Sequence, residues 1–142
     1  MKAISVRAPW WWFILHAGKD IENRSLNFPR SVRGTVWLHC GKWWEDEEVE
    51  WDADDAMTMW RKATGDGGSI VPEDGWDSLK EWCGCIVGSV EVVDYVTQSN
   101  SPWFVGELGI VLRNPVALST PIPCRGYLGY FDVPDLLIGD AA

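Results

Sequence analysis

The chain has 142 residues, 46% of them hydrophobic and 23% charged, which predicts one globular domain with a single core and excludes a disordered chain. No apolar run approaches the roughly 20 residues that span a bilayer, and residues 1–5 lack the apolar stretch of a secretory signal. The expectation is a soluble, cytosolic protein that makes no membrane contact. The net charge of −9 argues at first against a nucleic-acid partner, because phosphate contacts need lysine and arginine. The distribution reverses that argument. Residues 1–42 hold seven basic and two acidic side chains, residues 43–142 hold five and nineteen, and thirteen of those nineteen acids fall in 43–82. Such asymmetry points to a basic site beside an acidic surface, although a solvated acidic stretch that only keeps the protein soluble gives the same count.

In chain order, residues 2–7 alternate apolar and polar and predict a strand with Ala3, Ser5 and Arg7 on one face and Ile4 and Val6 on the other. Pro9 suits the start of a helix, with Trp10, Phe13, Ile14 and Ala17 as its inward stripe and Gly18 as its left-handed cap. Trp11, Trp12 and Leu15 make the other side of this helix apolar as well, so residues 43–82 or a partner must cover them. Residues 19–24 are too polar for a core strand and too short for a helix, and belong at the rim of a sheet or barrel. A loop broken by Pro29 follows, then a strand at 34–41 with Val36 and Leu38 opposite Trp37 and His39. A lone histidine on the polar face of a strand is more often a hydrogen-bonded structural residue than a catalyst.

Residues 43–63, with Trp44, Trp51, Met59 and Trp60 among the apolar positions, predict one amphipathic helix or two; 64–75 predicts a loop and 77–82 a helical turn. Strands are expected at 85–95, 107–113 and 127–133, joined by turns at the prolines 102, 115, 121 and 123, and together they suggest a small mixed barrel. The eleven tryptophans belong mostly to the core and its rim, with a minority free to stack on a ligand. Cys40, Cys83, Cys85 and Cys124 read as buried free thiols, with a redox role as the alternative; Cys83 and Cys85 are too close in sequence for a zinc pair, and only His16 and His39 could complete a site. No metal and no cofactor is implied.

The densest polar group is Lys19, Glu22, Asn23 and Arg24. Two cations beside a carboxylate and an amide can hold an anion, and burial can turn a lysine into a general base that a glutamate orients. The same residues would also make an ordinary surface turn with a weak Lys19–Glu22 ion pair. No phosphate-binding glycine loop, dinucleotide fingerprint or H-E-x-x-H motif is present.

Several motifs occur together: ISVRAPWWW at 4–12, GKDIENRS at 18–25, RGTVWLH at 33–39, GCIVGSVEVVD at 84–94, SPWFVG at 101–106 and PIPCRGYLGYF at 121–131. Their order resembles that of bacterial and phage ASCH (activating signal cointegrator homology) domains, across nearly the whole chain except about 43–82. The resemblance implies a single α+β domain over 1–142, built as a small PUA-like mixed β-barrel with helices at its mouth and a helical, acidic, tryptophan-rich insert at 43–82. It also implies a cleft that takes RNA, single-stranded nucleic acid or a modified nucleoside. Some small members of the family are amidohydrolases of N4-acetylcytidine that use a lysine, a threonine and a glutamate, and one is described as a ribonuclease. Lys19 matches the catalytic lysine; Glu22 stands where those enzymes have threonine, and Glu91 is the nearest candidate for their glutamate.

The leading expectation is a binding module in which Arg7, Lys19, Arg24 and Arg33 supply charge, Trp10 or Trp103 a stacking face, and Asn23 and Ser101 hydrogen bonds to a base edge. Arg33 would equally serve as a strand-start residue with no ligand. The alternative is a hydrolase acting on an acylated nucleoside or on RNA, with Lys19 as base or oxyanion stabiliser and Glu22 as its orienting partner. A third expectation is an adaptor that contacts a protein partner through 43–82, with Trp43, Trp44, Trp51 and Trp60 as anchors.

Overall fold

The computed structural model describes residues 1–43 and 45–138, less the side chain of Leu136. Trp44, one of the apolar positions and expected anchors of 43–82, lies outside them. Six strands form one mixed sheet: β1 (Lys2–Val6), β2 (Ile21–Arg24), β3 (Gly34–Cys40), β4 (Cys85–Val96), β5 (Leu108–Pro123) and β6 (Tyr130–Asp132). Their spatial order is β2-β5-β4-β3-β1-β6. Only β1 and β3 run parallel, with Ser5 opposite His39. Helices α1 (Trp10–His16) and α2 (Asp46–Thr64), a 3₁₀ helix (Trp76–Trp82) and the terminal turn α3 (Asp135–Ile138) complete the described chain.

The sheet curls into a half-barrel, and long side chains hold the curl. Tyr95 of β4 and Tyr130 of β6 share a 2.7 Å hydrogen bond across the intervening β3 and β1. Arg24, on the edge strand β2, reaches around to β1 and donates from Nη2 to the Ser5 carbonyl at 2.7 Å. The main core lies on one face, where Ile4, Val6, Val36, Leu38, Val90 and Val92 meet Phe13 and Ile14 of α1. Alternation along the strands sends Ala3, Trp37 and Phe131 into a smaller cluster with Ile138.

Helix α1 crosses the sheet closely because Gly88 has no side chain; a Cβ there would lie 2.9 Å from Leu15 Cδ2. Its buried residues are Trp11, Trp12, Phe13 and Ile14 rather than the expected Trp10, Phe13, Ile14 and Ala17 stripe. The cause is the cover supplied by the 3₁₀ helix, since Trp76 packs edge-on to Trp12 at 5.4 Å and Trp82 lies 6.0 Å from Trp11. Trp10 is thereby released to the other side.

The acidic stretch forms one helix, not two. Val49, Ala53, Ala56 and Met57 recur on one face and are buried. Asp46, Glu47 and Glu48 occupy the first turn and Arg61 and Lys62 the last, the arrangement the helix dipole favours. Strand β5 is far longer than expected and runs through Pro115 and Pro121. Beyond Val111 it has β4 on one side and no strand on the other, so a proline without an N–H can face the unpaired edge at no loss. The cysteines carry no disulfide; Cys40 and Cys85 are buried, and Cys40 Sγ lies 3.6 Å from Cys83 Sγ. No helix among the described residues is long and apolar enough to cross a membrane.

Candidate functional site

Where the curled sheet brings β2 opposite β1, a cleft of about 890 Å³ opens. Its walls are the C-terminal end of β1 with Arg7, Trp10 at the start of α1, the 19–24 segment, the end of β3 with Gly41 and Lys42, and the loop 126–128. Arg7, Lys19, Arg24 and Lys42 line it against a single acid among the described residues, Glu22. This concentrates positive charge in one place on a chain whose net charge is −9.

The local sequence aims Lys19 inward. Gly18 adopts φ +76°, open to glycine at little cost, and the chain turns back so that the Lys19 N–H donates to the Phe13 carbonyl at 3.1 Å. The Lys19 side chain is 1% exposed. Its ammonium donates to the Ile21 carbonyl, lies 3.5 Å from Glu22 Oε1 and sits 5.5 Å from the centre of the Trp10 ring. Burial pushes the Lys19 pKa down, and the Glu22 carboxylate opposes part of that shift. Glu22 turns its other oxygen to Arg24 Nε at 3.0 Å. Lys19, Glu22, Arg24 and the Ser5 carbonyl therefore form one continuous chain of polar contacts along the cleft.

Next to that chain, Ser5 and His39 face each other across the parallel strands, with Ser5 Oγ 2.8 Å from His39 Nδ1. His39 Nε2 is 2.6 Å from the Cys124 carbonyl oxygen. A carbonyl can only accept, so Nε2 carries the hydrogen. Burial lowers the His39 pKa and favours the neutral ring, opposed only by that carbonyl. Nδ1 is then the acceptor and the Ser5 hydroxyl its donor.

The residues singled out from sequence separate into two groups. Arg7, Trp10, Lys19, Glu22, Asn23 and Arg24 all line the cleft. Arg7 also holds Asp52 of α2 at 2.8 Å. Asn23 is a clamp as much as a reader: its amide donates to the Trp103 carbonyl and accepts from the Val105 N–H, both at 2.9 Å. Trp103 is 1% exposed and packs in the core against Phe13, so it offers no stacking face. Ser101 turns away from the cleft to Asp20 Oδ1 at 2.6 Å. Arg33 lies over the Tyr95 ring and pairs with Asp94. Glu91 is engaged by Arg113 and Asn114 on the β4–β5 ribbon, with its pKa held down chiefly by the Arg113 hydrogen bond. Neither Arg33 nor Glu91 lines the cleft.

Sequence reasoning passed over Ser5, Lys42, Tyr127 and Leu128 as site residues and treated His39 as structural, yet all five line the cleft. Leu128 is 99% exposed at the rim and Tyr127 lies under the Arg125 guanidinium. The only signal for Ser5 and His39 was their placement on polar faces of two strands whose pairing the sequence does not reveal. No family model matches the chain, and no curated protein matches it.

Proposed function

We propose that this chain is an ASCH domain with a PUA-like half-barrel and an acidic helical insert at 43–82, and that its cleft binds single-stranded RNA or a modified nucleoside. The observation that carries the reading is the cleft itself, where Arg7, Lys19, Arg24 and Lys42 converge beside Trp10 and Tyr127 in an otherwise acidic molecule. Its volume falls within the range of about 300–1,000 Å³ found for small-ligand sites. Basic groups following a phosphate and flat rings taking a base are the two components of single-strand recognition, and each stacked base contributes about 1–3 kcal/mol.

Fluorescence titration with short single-stranded RNA and with a nucleoside panel that includes N4-acetylcytidine, each over a range of salt, tests it. RNA affinity is expected to fall with salt while nucleoside affinity stays nearly level, and Lys42→Ala to flatten the RNA slope by about 0.7, the share of one neutralised phosphate. Lys42 is exposed and has no partner among the described residues, so its removal leaves the fold intact. Salt-independent RNA affinity, with RNA and nucleoside affinities both unchanged in the Lys19→Ala/Arg24→Ala double variant, overturns the reading.

A second reading, hydrolysis of an acylated nucleoside or of RNA, draws support from Lys19. A buried ammonium with a lowered pKa beside a carboxylate is the pairing acid–base chemistry requires. Mass spectrometry of the same nucleosides after incubation with wild type and Lys19→Ala separates turnover from binding. The adaptor reading rests on Trp51, which is 62% exposed on α2.

A further inference from the structure

Beyond nucleotide binding, we infer that Ser5 and His39 form a nucleophilic dyad, with Ser5 Oγ as the attacking group, His39 Nδ1 as its base, and an activated acyl group as the substrate class. The hydrogen-bond chain Ser5–His39–Cys124 carbonyl, at 2.8 and 2.6 Å, has one consistent polarity: the hydroxyl gives its proton to Nδ1 while Nε2–H stays anchored to backbone. A base within hydrogen-bond reach of the hydroxyl, itself oriented by a third group, is the arrangement that activates a serine.

The surroundings suit the chemistry. Arg24 is fastened to the Ser5 carbonyl, which places a guanidinium beside the nucleophile, and Lys19 lies on the same wall. These cations can stabilise an oxyanion formed in the cleft. Gly126 packs against both members of the pair; a Cβ there would lie 2.8 Å from His39 Nδ1 and 3.0 Å from Ser5 Oγ. A side chain at 126 would collide with the His39 ring and force the pair apart.

In the first step Oγ bonds to the acyl carbon, the carbonyl electron pair moves onto oxygen, and the serine proton passes to Nδ1. Collapse of this intermediate breaks the bond to the leaving group, which either departs with the proton from Nδ1 or leaves as a stable anion while Nδ1 gives its proton to solvent. Water then attacks the Ser5 ester and gives a proton to Nδ1. The Oγ–acyl bond breaks, the acid is released, and Nδ1 returns the proton to Ser5.

The test uses the full chain with p-nitrophenyl acetate for turnover and an alkyl fluorophosphonate for trapping, in which the Oγ–P bond forms and fluoride leaves. Peptide mapping by mass spectrometry should place the phosphonyl adduct on Ser5. Nitrophenolate release should fall by about 100-fold or more in Ser5→Ala and His39→Gln, and Gly126→Ala should block labelling. Adducts confined to Lys19 or the cysteines, or wild-type turnover by Ser5→Ala, overturn the inference. Wild-type mapping decides even if a variant fails to fold. Because neither probe contains a nucleotide, this result and the RNA titration stand or fall separately.

Discussion

Lys19 holds its ammonium buried at the wall of the cleft, between the Ile21 carbonyl, the Glu22 carboxylate and the Trp10 ring. Its pKa in the folded chain lies below the ordinary 10.5 because desolvation outweighs the attraction of Glu22. Between that lowered value and 10.5 the unfolded chain binds more protons at this position than the folded one. Stability contributed by Lys19 therefore rises with pH across the window and is lowest when the group is fully charged. The thiols of Cys40, Cys85 and Cys124 and the Tyr130 hydroxyl are all pushed upward and work in the opposite direction. Comparison with a variant isolates the lysine: the stability of wild type minus that of Lys19→Met, from denaturant unfolding at stepped alkaline pH, should move in favour of wild type. The cluster 19–24 was legible because its residue types are rare together and its segment is short. Trp103 was misplaced because a tryptophan's chemistry is the same in a core and at a rim, and only packing against Phe13 decides. Ser5 and His39 stand 34 positions apart, and what joins them is a strand register that neither local sequence encodes.

At the level of elements, alternation located β1 and β3 to within a residue or two, and Pro9 and Gly18 bounded α1 although four consecutive residues of it are buried. Alternation failed for β5, where prolines signalled turns; proline excludes a strand only where both edges must bond. The 3₁₀ helix answers the question of what covers Trp11 and Trp12, and α2 lies against α1 as well. Lys80 of the 3₁₀ helix is tied to Asp46 at 3.1 Å, and Arg7 of the cleft to Asp52. The segment is thus part of the fold. Deleting 45–80 should expose apolar surface around α1, seen as dye binding and loss of a sharp thermal transition, whereas Trp51→Ala should change stability by no more than about 0.5 kcal/mol. A clean cooperative transition in the deletion variant would show that α1 needs no cover.

On the scale of the whole molecule, the acidic surface and the basic cleft act on a charged ligand at different ranges. The acids of α2 repel an approaching polyanion at low salt, and that repulsion fades once the Debye length shrinks to about 8–10 Å near physiological ionic strength. Close contacts within the cleft are screened much less. Glu47, Glu48 and Asp55 are exposed on α2, and replacing them with Gln, Gln and Asn should speed RNA association at low salt by stopped-flow. The gain should vanish at high salt, while the dissociation rate stays unchanged.

The reach of Arg24 from β2 to the Ser5 carbonyl makes one side chain a drawstring across the mouth of the curled sheet, in addition to the Tyr95–Tyr130 bond. The Arg24 guanidinium lies over the Phe28 ring, and its Nη1 has no hydrogen-bond partner among the described residues, so an anion can be gripped there while the knot stays tied. An anion that instead takes over Nη2 competes with the Ser5 carbonyl and loosens the purse it enters. On this geometry a ligand that leaves Nη2 alone would leave the aperture as it is, and one that takes Nη2 would widen it at the expense of a backbone contact. Substituting lysine keeps the charge but provides only one anchoring nitrogen for the two jobs of holding Glu22 and closing the sheet.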